Sequence, residues 1–233
     1  QEGPVVDDFV HEVTENGHTW YVFPRAGRPR SLAILIHSRI SARTLNVAFG
    51  CKSGRVAYVD MDFGCEGVRF LNVHLPHSGD TDVDYEAALD SLATTVVEGR
   101  SERKLVICGV DANAELGGQE SSDNPHIIGR HGLSTRSERG RLFANRLHCS
   151  RLAASNTMFQ KPFDTSWTHK LWSTGSRRQI GFILIDSIAR GKVRNVAIND
   201  ALDGKSDHQC LAATVALSRK IRRPMKPKKK TTG

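Results

Sequence analysis

Residues 104–116 read KLVICGVDANAEL, a run of apolar, β-favouring residues that sets Asp111 and Asn113 two apart with Ala112 between them. On a strand, positions two apart face the same way, so a carboxylate and an amide would stand together at the tip. A polar turn closing a buried strand is the plain alternative, because Asp and Asn favour turns for reasons of their own. Other strand ends carry matching groups. In VRFLNVHLPH (68–77), alternation puts Phe70, Asn72 and His74 on one face, and Pro76 ends the ladder. In DGKSDHQCLAATVAL (203–217), Asp207 and His208 stand side by side before the last apolar run.

Carboxylates, an amide and imidazoles gathered from several strand ends suit hydrolysis of a phosphodiester. That reaction needs a divalent metal to neutralise developing charge, a base for the attacking water, and donors on the non-bridging oxygens. Few, hard oxygen ligands suit Mg²⁺, with Mn²⁺ as a substitute. No His/Cys spacing in the sequence points to zinc.

Strands must position these groups. Apolar, β-rich runs recur at 20–24, 31–37, 55–63, 68–75, 104–110, 181–186, 193–198 and 209–217. Leu89, Leu92, Val96 and Val97 share a helical period over 84–99, with Asp82 or Asp84 as the cap, and Leu142, Phe143 and Leu147 mark a second helix at 138–149. Strands dominate, with helices interposed, so the pattern predicts an α/β fold of mixed sheets covered by helices.

At 233 residues with 39% hydrophobic content, the chain is large enough to bury a sizeable core without staples. The five cysteines are scattered and odd in number, and read as buried thiols in a reducing compartment. Apolar runs are strand-sized and no signal peptide opens the chain, so a soluble, intracellular protein without a membrane partner is expected. Net charge is +8, and residues 218–233 are rich in Lys and Arg and hold no acid. That tail admits three readings: a polyanion-binding arm, a solubilising linker, or a nuclear-import signal.

Five ordered motifs, LNVHLPH, GVDANAELG, IGRHGLSTRSERGRLF, RRQIGFILID and SDHQCLAATV, resemble those of the endonuclease/exonuclease/phosphatase superfamily. The likeness is greatest to the apurinic-type endonuclease domain that precedes reverse transcriptase in non-LTR retrotransposons. It implies a four-layer, DNase I-like sandwich of two packed mixed sheets flanked by helices, covering residues 1–217, with 218–233 as a basic tail or linker. Carried over, it implies that Glu2 and Asp207 hold metal, Asp111 orients or deprotonates water, and Asn113 holds the scissile phosphate. His74 would sit beside the phosphate and His208 would stabilise it in its pentavalent form. The expected activity is Mg²⁺-dependent nicking of DNA in the nucleus, with a downstream reverse transcriptase as partner.

Two departures from the family pattern stand out. Gly181 occupies the place of an Asp that would orient His208; Asp186 lies on the opposite face, and Asp164 is the carboxylate left to reach in. The family's first strand and helix, which would precede Glu2, are missing from the sequence, so a truncated domain is expected. Gly181 keeps open a catalytically dead DNA-binding derivative, and the fold alone keeps open a phosphomonoesterase or inositide phosphatase. Arg177, Arg178 and Trp167 are candidates for nucleic-acid contact, although Trp167 and Trp172 suit core packing equally. Ser137 and Arg139 read as structural. His11, His18, His37, His126, His131, His148 and His169, lacking an acidic or strand-tip context, read as surface or packing residues.

Overall fold

The computed structural model describes residues 2–3, 11–23, 31–41, 43–199 and 206–217. Of Glu2 only the backbone is described, and the basic tail lies outside these residues.

The first sheet joins β1 (Glu2–Gly3), β2 (His11–Glu15), β3 (His18–Phe23) and β4 (Ser31–His37) in the order β1-β4-β3-β2, all antiparallel. β2 was not expected from the sequence. It forms because Asn16 and Gly17 both adopt positive φ (50° and 76°), the two-residue turn whose twist matches a hairpin.

The second sheet sets β5 (Val47–Lys52), β6 (Val56–Asp62), β7 (Gly67–His74), β8 (Lys104–Asp111), β9 (Leu152–Ala154) and β12 (Gly181–Asp186) in the order β5-β6-β7-β8-β12-β9. Only β7 and β8 run parallel, in register from Gly67↔Lys104 to His74↔Asp111. A parallel pair needs a long crossover. Helix α2 (Asp82–Ser101) supplies it, α1 being the short Ser38–Ser41 turn. The α2 cap is Thr81, not Asp82 or Asp84: its hydroxyl accepts from Asp84 N, and Asp84 reaches back to Thr81 N, a reciprocal capping box. Helix α3 (Glu138–Ser150) starts on Ser137, whose Oγ accepts from Gly140 N at 3.1 Å.

Two small antiparallel pairs complete the fold: β10 (His169–Lys170) with β11 (Arg177–Arg178), and β13 (Val193–Ile198) with β14 (Leu211–Val215). Leu89, Leu92 and Val96 of α2 and Phe143 and Leu147 of α3 pack on Leu71, Val73, Val106, Val110 and Phe182 of the six-stranded sheet. Its opposite face meets the four-stranded sheet through Tyr21, Phe23, Leu32, Val59 and Met61. The result is the expected α/β arrangement of packed sheets with few helices. All five cysteines are free, but only Cys108 is buried, so the expectation of buried thiols fails for Cys65 and Cys149, which are exposed. No helix among the described residues is long and apolar enough to cross a membrane.

Candidate active site

The parallel register brings the tips of β7 and β8 together, and with them His74 and Asp111. Asp111 is 4% exposed, and its Oδ2 lies 3.8 Å from His74 Nε2 and 3.7 Å from His208 Nε2. Its Oδ1 accepts from Asn113 N at 3.0 Å. Among the described residues no Lys or Arg pairs with this carboxylate. A buried carboxylate without a cation is costly, and such groups are candidates for chemistry. A cleft of about 1040 Å³ lies elsewhere: it is lined by apolar residues such as Ile34, Met61, Phe70 and Val215 and by none of these groups.

Asn113 reaches the site differently from the strand-alternation argument. The strand ends at Asp111, and Asn113 sits in the left-handed region at φ 47°. Asn tolerates that conformation better than most residues. Its Nδ2 donates to Leu75 O at 2.8 Å, tying the two strand tips together. A primary amide carries two N–H donors, so a second remains in the inventory for a phosphate oxygen. Ala112 points into the core, as expected, and its carbonyl accepts from the buried Tyr85 hydroxyl at 2.9 Å. Burial holds that phenol far above its usual range.

Asp164 does not fill the place left by Gly181, and Asp186, as expected, lies away from it. Asp164 is exposed and pairs with Arg177 at 2.6 Å. Asp186 is buried at the other end of β12, accepting from Val106 N at 2.9 Å and pairing with Arg100. Gly181 stands opposite Asp111, and a Cβ there would lie 3.4 Å from Thr168. Thr168 Oγ1 accepts from both Ile180 N and Gly181 N, at 2.9 and 2.8 Å.

The residue after Thr168 is the one the sequence reading missed. His169, expected as a surface or packing residue, bridges to His208 across an antiparallel pairing, with ring centroids 4.8 Å apart. Asp207, expected to complete a magnesium shell, has its Oδ2 3.4 Å from His169 Nε2. Burial, reinforced by the neighbouring His208, holds the His169 imidazole below its ordinary range against the opposing pull of Asp207 and Asp111. Glu2 is positioned by pairing with Leu32, and its side chain lies outside the described residues.

Of the nucleic-acid candidates, Arg178 is half exposed and 3.4 Å from Glu115, while Arg177 pairs with Asp164 and covers the Trp167 ring. Trp167 is itself buried, so its face is not available for base stacking. The exposed ring is Trp172, 66% accessible, with Lys170 Nζ 5.2 Å from its centroid. Arg139 is structural, as expected, bonding Pro76 O, Asp80 O and Asp82 around the β7–α2 turn. His148 also packs, bonding Asp123 at 3.0 Å.

No protein-family model matches the chain. Craniofacial development protein 2 of Bos taurus is 26% identical over 210 residues, covering 89% of this chain and 34% of that protein. The protein of the same name from Tragulus javanicus is 36% identical over 117 residues, 50% of this chain and 20% of that one. The chain therefore spans about a third or less of the length of these curated relatives. Among solved structures, the endonuclease domain of TRAS1, a telomere-specific non-LTR retrotransposon, superposes with a TM-score of 0.61 at 12% identity, covering 88% of this chain and 83% of that one. A 3′ phosphatase from Neisseria, NExo, bound to a product DNA hairpin, gives 0.61 at 18% identity, covering 86% and 80%. The chain has the DNase I-like fold that these solved structures share.

Proposed function

We propose that the chain is a divalent-metal-dependent phosphodiester hydrolase that nicks DNA. The observation that carries this reading is the buried Asp111 carboxylate between His74 and His208 at 3.8 and 3.7 Å, with no Lys or Arg on it among the described residues. Asp111 takes the proton of the attacking water, or aligns it, because among the described residues it is the buried carboxylate at the meeting of these strand tips. Asn113 and His208 donate to the non-bridging oxygens, and His74 flanks the phosphate on the far side of Asp111. Gaps slightly beyond hydrogen-bond length are ordinary before a substrate is bound.

The Asp111 carboxylate fits a cation such as Mg²⁺ that keeps most of its waters, and Glu2, whose side chain lies outside the described residues, is a further ligand in this reading. When bound, that cation would offset charge on the phosphate. Arg178 and the Lys170–Trp172 pair form a basic, partly aromatic surface next to the site, supporting a nucleic-acid substrate, as does the net charge of +8. Two structural neighbours are DNA-processing proteins by name, one an endonuclease domain and one a phosphatase holding a DNA hairpin. Nuclear localisation and action beside a reverse transcriptase belong to the same proposal.

Supercoiled plasmid with Mg²⁺ is the test. Nicking by the chain that EDTA and Asp111→Asn both abolish is expected; intact plasmid with correctly folded protein overturns the reading. Gly181 favours a second reading, a DNA-binding derivative without activity. Salt-sensitive DNA binding with no cleavage, and none restored by Gly181→Asp, would select it. Turnover of a soluble inositol phosphate but not plasmid would select a phosphatase.

A further inference from the structure

We propose that His169, Asp207 and His208 form a binding site for a borderline-soft divalent transition metal, Zn²⁺ by preference, distinct from the oxygen-donor cation of the hydrolase reading. Their ligand atoms all lie within 4.8 Å of one another. Two imidazoles and one carboxylate make a donor set that suits Zn²⁺, Co²⁺ or Ni²⁺, whereas Mg²⁺ wants oxygen and gives up its waters reluctantly.

The three ligands come from two segments that are hydrogen-bonded to each other. Lys170 N donates to Asp207 O at 2.8 Å and Gln209 N to Thr168 O at 2.9 Å, fixing 207–209 alongside β10. His169 is the anchored ligand: it is largely buried, and its recorded ion-pair contact is on the Nε2 edge, to Asp207. Its Nδ1 is buried with no hydrogen-bond partner among the described residues. Tetrahedral zinc with bonds near 2.0–2.1 Å places its ligand atoms roughly 3.3 Å apart. The His169–Asp207 gap of 3.4 Å already meets that spacing. Asp207 and His208, with side chains 49% and 37% accessible, have the freedom to close the rest by rotation. A fourth position stays open to water.

Occupancy has a functional corollary, which rests on the role proposed for His208. A metal on the His208 ring removes it from the phosphate, so Zn²⁺ would inhibit where Mg²⁺ supports hydrolysis. The binding claim itself does not depend on any activity.

Cobalt titration of the full chain tests the site, because tetrahedral Co²⁺ absorbs in the visible. One equivalent of saturable absorption is expected, displaced by Zn²⁺ and untouched by excess Mg²⁺. His169→Ala and Asp207→Asn should each weaken it at least about tenfold. Asp207 is half exposed, so Asp207→Asn folds even if the buried His169 variant does not; circular dichroism checks both. Absence of saturable binding, displacement by Mg²⁺, or a signal that survives Asp207→Asn overturns the proposal. Thiolate-type near-ultraviolet bands would also overturn it, by placing the metal on the exposed Cys65 or Cys149. Binding without plasmid nicking sinks the hydrolase reading and spares the metal site, while nicking without cobalt binding does the reverse.

Discussion

The strands β7 and β8 carry buried charge at both ends, and the two ends are built on opposite rules. At the start of the pair, Arg69 clasps Asp60 through two bonds of 2.7 Å, donates to Thr95 O, and lies over the Tyr58 ring; Lys104 adds a third bond to Asp60 at 2.5 Å. Burial alone would lower the Arg69 and Lys104 pKa values, yet the hydrogen bonds and charge attraction of Asp60 and Glu102 together outweigh it and hold both above their ordinary range. Asp186 nearby is likewise closed by Arg100 and a backbone N–H. At the finish of the same strands, Asp111 has imidazoles at a distance and one backbone N–H. One end is electrically complete, and at the other no Lys or Arg among the described residues closes the carboxylate. That contrast sets the carboxylates closed by a cation apart from the one proposed for chemistry.

Removing the carboxylate charge at each end should break stability at one and chemistry at the other. Asp111→Asn is expected to lower plasmid nicking by on the order of 10²–10⁴, with little loss in urea stability. Comparable activity in the variant would show that the finish of the strands is structural after all. Asp60→Ala should do the converse, stranding the buried Arg69 and costing about 3–5 kcal/mol. Its folded fraction should cleave at the wild-type rate, as measured by activity normalised to native signal.

The strand tips were legible because alternation, breakers and polar ends all survive in the sequence: Ser31–His37 and Val193–Ile198 are found as read, and Lys104–Asp111 runs one residue further. What failed was whatever depended on pairing. His169 lies opposite His208, and Arg69 opposite Asp60, only because of strand register, which no local window contains. Asn113 was placed in the site by a strand argument, although a left-handed turn is what aims it. Asn16-Gly17 was the opposite case, a local hairpin signal present in the sequence and passed over. Trp167 and Trp172 could not be told apart by type; burial under Arg177 decides between them.

Helix α2 links the two ends, leaving the β7 tip near the site and delivering the chain to Lys104, so its cap tests whether the ends are mechanically joined. Thr81→Ala removes the capping box and should cost about 1 kcal/mol. If the site end is merely supported by the helix, nicking per folded molecule stays unchanged; a fall in rate larger than the loss of folded protein would mean the N-terminal turn of α2 positions His74.

The mildest effect tests the electrically complete kind of carboxylate by pH. Asp123 belongs to the complete kind: its oxygens take Arg136 at 2.6 Å, Glu120 N at 2.7 Å and His148 at 3.0 Å. Burial raises its pKa, but the Arg136 hydrogen bond leads the terms that overcome this and leave it below the ordinary 3.8. In the window between the folded and unfolded values the unfolded chain binds more protons, so stability falls with falling pH there. The contribution is whole above 3.8 and is lost as pH drops through the lowered folded value. Acid titration followed by circular dichroism should therefore show a shallower decline below about pH 4 for Asp123→Asn than for the wild type. A decline as steep in Asp123→Asn as in the wild type would mean that Arg136 does not hold this carboxylate below its ordinary value in solution.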